Sequence, residues 1–331
     1  MAPLSLLQSQ TPFSEGWIKG LVTDKAGCSD WRTVGYAWME DGTVVSNMNN
    51  VVETWVYAIA GRQRENLVIV DDSGYFDGIV CREQSKGRVE RGWRCIWQPV
   101  PHVCFHRSHE EWSSFMRSKG ASELDVESST GVTFENVRSA TRNNVEDWLR
   151  GFGVDQFGAT ELLCRLFLWN HVQPWLKTDM RNLILTSPDC VRKKPFIALN
   201  VASGPSDSGN LRAPIPVEVY LSRARLYFER LSESESEFQA SLASIRGIWV
   251  TTDDPSVVEE VRNLAPAFFP GVGKGDGKLY RRLTYDLTDL LQLSRAEVLI
   301  GVSSSGTDNV AGLLRAGGGK PRESRINVDI Y

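Results

Sequence analysis

The sequence predicts an α/β protein whose short parallel strands are buried between helices. Residues 248–252 and 298–302 are apolar runs that stop at small or acidic residues, and a helical pattern follows each of them. This succession is typical of parallel α/β sheets. Ligands of such sheets bind at the carboxyl ends of the strands, so we look for function there. The residues that follow these two strands are Asp253, Asp254, Ser303, Ser304 and Ser305.

The remaining patterns supply the other elements of the fold. Residues 161–175 are apolar on nearly every face, which predicts a buried helix that Pro174 ends or kinks. The other predictions, in chain order, are a helix at 49–62, a strand at 66–70, a proline-broken aromatic segment at 92–105 that covers an edge of the core, a surface helix with loops at 108–145, a strand at 196–201, an amphipathic helix at 217–231 and a loose segment at 316–325.

Length and charge restrict the class of protein. With 331 residues, of which 41% are hydrophobic, the chain is long enough for two domains, which we place at residues 1–180 and 181–331. The net charge of −4 argues against a broadly basic surface, so any polyanion must bind at a local patch. The sequence shows neither a signal-peptide pattern nor an apolar run that could cross a bilayer. We therefore expect a cytoplasmic protein without a membrane partner.

The cysteines and histidines give no clear metal site. The 6 cysteines lack CxxC spacing, so we expect free thiols and neither a metal nor a cofactor. His102, Cys104, His106 and His109 are close in sequence, but their alternation also fits the end of an ordinary strand.

Five blocks, taken in order, resemble the α1,6-fucosyltransferase and nodulation-fucosyltransferase family. They are NNVVETWVYAIAGRQRENLVIV, GWRCIWQPVPHVC, VQPWLKTDM, FIALNVASGPSD with PIPVEVYL, and IWVTTDDP with LTDLLQLSRAEVLIGVSSS. The resemblance implies a GT-B-like fold of two facing Rossmann-like domains with parallel sheets. It also implies an acceptor-side first domain and a donor-side second domain.

The resemblance assigns roles to two turns of the second domain. In that family the acidic residues of the TDDP turn hold the nucleoside end of a sugar-nucleotide donor, and these match Asp253 and Asp254. The paired serines that bind the donor phosphates match Ser304 and Ser305. Small hydroxyl residues at a strand-to-helix turn suit an anion, because a helix N-terminus carries N–H groups and a partial positive charge.

The sequence departs from the family at the residues that carry its chemistry. The family has a His-x-Arg-Arg motif where this chain has Asn200, Val201, Ala202 and Ser203, so the arginines that neutralise the leaving diphosphate are missing. The family's acidic base falls at Asn210 or Leu211, neither of which accepts a proton usefully. We therefore expect a retained scaffold with altered chemistry.

Our first hypothesis is a transferase that uses aminoacyl-tRNA. The chain is similar in scaffold to the fungal arginine-containing cyclodipeptide synthases, which join two aminoacyl-tRNA esters into a diketopiperazine. Asp253, Asp254 and Glu218 are then candidates for binding a guanidinium, although the two aspartates also fit a helix cap. The tRNA phosphates would contact the basic residues Arg192, Lys193, Lys194, Arg212, Arg281 and Arg282. Ser203, Ser206 or Ser304 would accept the acyl group.

Two other hypotheses compete with the first. One is a nucleotide-sugar glycosyltransferase in which Asp207 acts as base and Arg212 or Lys194 rebuilds the phosphate clamp. The other is a non-catalytic protein that binds a ligand in the same cleft. Across these hypotheses the catalytic candidates are Asp207, Ser203, Ser206 and Glu218. The substrate-binding candidates are Asn200, Asp253, Asp254, Ser303, Ser304 and Ser305.

Overall fold

The computed structural model divides the chain into two compact units, Met1–Pro174 and Trp175–Tyr331. The structure describes residues 34–38, 45, 51, 66–70, 78–82, 89–98, 103–130, 171–186, 196–201, 215–232, 247–252, 254–264, 267–268, 279–303, 305–317, 320 and 324–329. The helix predicted at 49–62 lies almost wholly outside the described residues, as do residues 161–170. The acceptor and donor roles of the two domains stay predictions.

The first unit is built on three parallel strands in the order β1-β2-β5. Their bounds are β1 (Val34–Trp38), β2 (Asn66–Val70) and β5 (Val103–His106). The strand predicted at 66–70 is therefore confirmed. Helices α1 (His109–Ser118) and α2 (Glu123–Thr130) follow β5. The predicted surface helix is more deeply packed than expected, because Trp112 and Met116 are buried against Val68 and Val70 of β2.

An antiparallel ribbon in the first unit is held by a disulfide. Strands β3 (Val80–Arg82) and β4 (Val89–Arg91) pair and lead into a 3₁₀ turn, Gly92–Cys95. The turn brings the Cα atom of Cys95 to 5.6 Å from that of Cys81, and the two cysteines form a disulfide. Cys104 is also disulfide-bonded. The expectation of free thiols is therefore wrong for Cys81, Cys95 and Cys104. Cys81 and Cys95 meet because of the way the ribbon folds, and the spacing of the cysteines in the sequence does not reveal this.

The aromatic segment after the ribbon packs inside the first unit. Trp93, Ile96 and Trp97 are buried, and the rings of Trp93 and Trp97 lie 3.9 Å apart. Gln173 joins this segment to the end of the unit, because its Nε2 donates to the carbonyl oxygens of Arg94 and Trp97 at 2.8 and 3.0 Å. These side chains belong to the buried core itself, so the segment lies deeper than the edge cover that the sequence predicts.

Pro174 begins a helix instead of ending or kinking one. Helix α3 spans Pro174–Leu185. A proline suits the first turn of a helix, because the N–H that it lacks has no partner there in any case.

The segment with His102, Cys104, His106 and His109 includes strand β5, which holds Cys104 and His106, so the alternative of a strand end is confirmed. Among the described residues, no cluster of His, Cys, Asp and Glu is suited to a metal ion.

The second unit is a doubly wound sheet. Its five parallel strands have the order β10-β9-β6-β7-β8. The chain starts in the middle at β6, moves to one side through β7 and β8, and then returns to the other side for β9 and β10. The order therefore reverses between β6 and β9, which is the topological switch point of a Rossmann-like sheet. The strands are β6 (Phe196–Val201), β7 (Gly247–Thr252), β8 (Ala267–Phe268), β9 (Val298–Gly301) and β10 (Arg325–Asn327).

The helices of the second unit cover both faces of this sheet. The core under α4 and α5 takes Ile197, Leu199 and Val201 of β6. The alternate residues of that strand, such as Asn200, point to the other face, where β9 leads into α7. The helices are α4 (Val217–Ser232), α5 (Pro255–Leu264), α6 (Leu279–Arg295) and α7 (Gly306–Gly317). The predictions of an α/β protein with parallel sheets, of its strands at 196–201, 248–252 and 298–302, and of the helix at 217–231 are confirmed.

The end of the chain is part of the second sheet. The segment at 316–325 was expected to be loose, yet Arg325 and its neighbours pair with β9 as strand β10. The three-residue strand is too short and too polar to be recognised from its pattern. In the described part of the chain, no helix combines the length and apolarity that crossing a bilayer requires.

A buried arginine ties this end of the chain to α6. Arg315 in α7 is 2% exposed. Its guanidinium donates to the carbonyl oxygens of Leu293 at 3.3 Å and Glu297 at 2.9 Å, and also to those of Ala296 and Ser324. One side chain therefore satisfies carbonyl groups at the C-terminal end of α6 and at the start of β10.

The disulfide is expected to stabilise the first unit. Replacing both cysteines in Cys81→Ala/Cys95→Ala should lower the free energy of unfolding by about 2–4 kcal/mol, because the unfolded chain gains conformational freedom. Urea denaturation measures this loss. A reductant should destabilise the wild type more than the variant, since the variant lacks the disulfide between residues 81 and 95. Free thiols at Cys81 and Cys95 in a non-reducing peptide map would contradict the pairing.

Arg315→Met should cost about 3 kcal/mol or more in stability, because it leaves several buried carbonyl groups without a donor. Arg295→Met is the matched control, since this exposed arginine at the end of α6 should change stability by about 0.5 kcal/mol or less. Thermal or urea denaturation compares the two variants. If the two variants lose the same stability, the buried hydrogen bonds of Arg315 do not account for the loss.

Candidate functional site

The candidate site lies at the carboxyl ends of β6 and β9, on the two sides of the switch point. In a doubly wound sheet a crevice opens there, because the helices that follow the two strands lie on opposite faces. In this chain α4 follows β6 and α7 follows β9. The polar groups that line the sheet side of this crevice come from Asn200, Thr251 and the turn at 302–305.

Asn200 bridges three segments of the site. Its side chain is buried, with 7% exposure. Its Oδ1 accepts a hydrogen bond of 2.7 Å from Thr251 Oγ1, and its Nδ2 donates to Ser305 Oγ at 3.2 Å. The sequence predicts Asn200 as a substrate-binding residue. Both ends of its amide are engaged within the protein, which places Asn200 at the floor of the crevice, and its substrate-binding role stays a prediction.

The turn that follows β9 is held by two carboxylates. Val302 N donates to Asp308 Oδ2 at 2.7 Å. Ser303 donates through N to Asp329 Oδ1 at 2.7 Å and through Oγ to Asp329 Oδ2 at 2.8 Å. Gly301 makes the first contact possible, because a Cβ at this position would collide with the carboxylate of Asp308. Asp308 and Asp329 were not identified from the sequence.

Ser305 caps helix α7 at the crevice. Its Oγ accepts from Asp308 N at 3.3 Å, in addition to the bond from Asn200. Among the described residues no acceptor takes its own hydroxyl hydrogen. The positive pole of α7 and a hydroxyl donor are thus present together, a combination that suits an anion. Ser304, which the sequence predicts as a phosphate ligand, lies outside the described residues.

Asp254 caps helix α5. Its Oδ1 accepts from Ser256 N at 2.8 Å and from Ser256 Oγ at 2.7 Å, and these hydrogen bonds lower its pKa. Asp254 N donates to Thr252 Oγ1 at 3.1 Å. The capping role considered for this aspartate is therefore confirmed, while a substrate role stays a prediction. Asp253 lies outside the described residues.

Glu218, a catalytic candidate, lies in the first turn of α4 beside Glu260 of α5. Burial raises the pKa of Glu260, and so does the hydrogen bond that its protonated carboxyl group donates to Glu218. The charge of Asp254 adds to this effect. Three carboxyl groups from two helices therefore lie close together, which keeps the guanidinium-binding role of Glu218 open as a prediction.

The predicted phosphate-binding residues are only partly described. Arg282 is exposed near the start of α6, and its charge acts on Asp286. Arg281 belongs to the same helix. The remaining candidates lie outside the described residues: Arg192, Lys193, Lys194, Ser203, Ser206, Asp207 and Arg212.

Two acidic residues of α6 have strongly perturbed pKa values and were missed from the sequence. Burial raises the pKa of Asp286 to about 6, against the opposing charge of Arg282. Burial also raises the pKa of Asp289 well above its ordinary value. Trp249 Nε1 donates to Asp289 Oδ1 at 3.0 Å. The available signal was a pair of aspartates three positions apart within the apolar run LTYDLTDLLQL.

Asp286 should make stability depend on pH. The pKa of the Asp286 carboxyl is 3.8 ordinarily and about 6 in the folded chain. Its contribution to the free energy of unfolding is therefore full below about pH 4 and is lost as the pH rises through 6. Asp286→Asn should therefore remove about 1–3 kcal/mol of the change in unfolding free energy between pH 4 and pH 7. Urea denaturation at several pH values measures it.

Glu259→Gln is the control for this experiment, because Glu259 is an exposed carboxyl on α5. It should leave the pH profile of the wild type unchanged. An Asp286→Asn protein with the full pH dependence of the wild type would show that the buried carboxyl titrates normally.

Comparisons with known proteins give distant structural neighbours. No family model matches the chain, and no curated protein matches it. NodZ alpha-1,6-fucosyltransferase soaked with GDP-fucose is similar at a TM-score of 0.49 and 14% identity, over 85% of this chain and 92% of that chain. Fucosyltransferase NodZ from Bradyrhizobium gives 0.49 and 14%, over 85% and 93%. POFUT1 in complex with GDP-fucose gives 0.46 and 12%, over 94% and 100%. The fold assignment above rests on the strand order of the second unit.

Proposed function

We propose that the chain is a glycosyltransferase whose second unit binds a nucleotide-sugar donor. The observation that carries this proposal is the anion-binding geometry at the switch point. There, the N-terminus of α7 and the hydroxyl group of Ser305 adjoin the floor formed by Asn200. The donor phosphates would bind at this helix terminus, with Ser304 and Ser305 as their ligands.

Neutral donors take the place of fixed cations in this proposal. The backbone N–H groups and hydroxyls at a helix N-terminus bind a phosphate through directed hydrogen bonds and the helix dipole. The chain has Ala202 and Ser203 where the resembling family has arginines. We therefore expect a slower departure of the nucleoside diphosphate, since preorganised positive charge lowers the barrier most where negative charge develops.

The remaining roles follow the sequence predictions. Asp207 is proposed as the base that accepts the proton of the acceptor hydroxyl, with Arg212 or Lys194 completing the contact to the diphosphate. Asp253 and Asp254 are proposed for the nucleoside end of the donor. Asp254 would then combine its capping contact with a ligand contact through its second carboxylate oxygen.

The aminoacyl-tRNA hypothesis gains no support from the described residues. Of the six basic residues it requires, only Arg282 has a described side chain, and its charge acts on Asp286. The described site is a single turn at the N-terminus of one helix. It suits one or two phosphates better than a long polyanion.

Binding of GDP and GDP-fucose tests the proposed function directly. GDP-fucose is the first donor to try, because the NodZ and POFUT1 structures were determined with it. We expect both ligands to raise the melting temperature and to bind in calorimetry. We also expect protein-dependent release of GDP from GDP-fucose when acceptor glycans are added.

Ser305→Asp is the variant that probes the phosphate contact. Aspartate retains an oxygen that can cap α7 but introduces a negative charge and no donor. GDP binding should weaken at least about tenfold, equivalent to about 1.4 kcal/mol. Ser222→Asp, a matched change at an exposed serine of α4, should leave the affinity for GDP unchanged.

Absence of binding by both ligands to the folded wild type would refute the proposal. A new diketopiperazine that forms from arginyl-tRNA only in the presence of the protein would refute it as well, in favour of aminoacyl transfer. Equal GDP affinity in wild type and Ser305→Asp would move the phosphate site away from α7.

A further inference from the structure

We propose that Asp329 is a positioning residue for the phosphate-binding turn, so that the segment after β10 belongs to the donor site. The inference rests on the proposed function for its ligand, but the contacts that motivate it are independent of any ligand. Asp329 was not identified from the sequence, and the chain before it was expected to be loose.

Asp329 binds the backbone and the side chain of one residue. Its two carboxylate oxygens accept from Ser303 N at 2.7 Å and from Ser303 Oγ at 2.8 Å. Hydrogen bonds to an ionised acceptor are shorter and stronger than neutral ones. Both donors of Ser303 are therefore engaged within the protein, which makes Ser303 part of the support of the turn and not a phosphate ligand.

The chain around Asp329 is itself anchored. Val328 is 1% exposed, and its N–H donates to Gly301 O at 2.9 Å. Asn327 is the partner of Gly301 in the parallel pairing of β10 with β9. The carboxylate thus extends from a fixed backbone, and aspartate has only two side-chain torsions. A short side chain on a rigid support can hold the turn in one conformation.

Asp308 supports the same turn from the helix side. Its Oδ2 accepts from Val302 N at 2.7 Å, so that the consecutive amides of Val302 and Ser303 each donate to a carboxylate. Ser305 N closes the turn by donating to Val302 O at 3.2 Å. These bonds fix the backbone at Val302, Ser303 and Ser305. The conformation of the turn therefore depends on Asp308 and Asp329.

Arg325 offsets the negative charge of the two supports. Its guanidinium interacts electrostatically with both Asp308 and Asp329, and it donates to Asn309 Oδ1 at 2.8 Å. The side chain lies against Gly312, where a Cβ would come within 2.7 Å of Nη1. Arg325 thus neutralises part of the negative charge beside the N-terminus of α7, which reduces the repulsion of an anionic ligand by the two carboxylates.

The experiment combines hydrogen exchange with GDP calorimetry on the full chain. In Asp329→Ala, we expect the amides of the turn at 302–305 to exchange at least about tenfold faster, because local opening of the turn no longer has to break the hydrogen bonds of Ser303 to the carboxylate of Asp329. We also expect GDP to bind about tenfold more weakly. For Asp329→Asn we expect exchange rates and a GDP affinity between those of the wild type and Asp329→Ala, because the amide oxygen of asparagine can still accept a hydrogen bond from Ser303 N. Glu259→Gln, at an exposed carboxyl of α5, should match the wild type.

Two outcomes would overturn the proposal. If Asp329→Ala accelerates exchange in β6 and β7 as much as in the turn, Asp329 supports the whole unit and does not position the turn. If the turn exchanges faster but GDP affinity is unchanged or higher, the turn does not bind the phosphates. A wild-type chain that binds no GDP refutes the proposed function instead, and the exchange rates then show separately whether Asp329 holds the turn.

Discussion

The architecture of the site depends on the two hydrogen bonds of the side-chain amide of Asn200. At the switch point, β6 borders β7 on one side and β9 on the other, and the chain reaches these neighbours by separate crossovers. A buried group there must satisfy an acceptor and a donor in opposite directions. An amide provides both in one plane: Oδ1 accepts from Thr251 and Nδ2 donates to Ser305. A carboxylate or an ammonium group supplies only one of the two functions, so asparagine suits this position on chemical grounds.

The distribution of charge at the carboxyl ends of the strands is the second constraint. Asp254 follows β7, while Glu218 and Glu260 lie beside the N-terminus of α4. Asp308 and Asp329 support the turn after β9. A phosphate that binds here would approach along the axis of α7, where the helix dipole favours an anion. It would stay away from the carboxylate of Asp254, which caps α5. The acidic residues would thereby restrict the orientation of a bound nucleotide.

The sequence was sufficient for the elements with a strong pattern. Strands at 66–70, 196–201, 248–252 and 298–302 were predicted because buried parallel strands are apolar throughout. Strands β3, β4, β8 and β10 were missed, since two or three residues are too few to show any period, and the five-residue strand β1 was missed as well. The disulfide of Cys81 and Cys95 was missed because it depends on how the ribbon folds. It is also typical of an oxidising compartment, which is at odds with the cytoplasmic location expected from the sequence.

Strand pairing brings the residues of the site together, so the sequence indicates only those that follow a recognisable strand. Residues at or just past the carboxyl ends of parallel strands meet at one edge of the sheet, and this holds for Asn200 near the end of β6, Thr252 at the end of β7 and Ser303 after β9. It holds equally for Asp329 after β10, a strand that shows no recognisable pattern in the sequence. The four segments come from distant parts of the chain, and the pairing of the strands alone makes them neighbours. A polar residue near the end of the chain can therefore support a turn that precedes it by 26 positions, a relation that no local motif expresses.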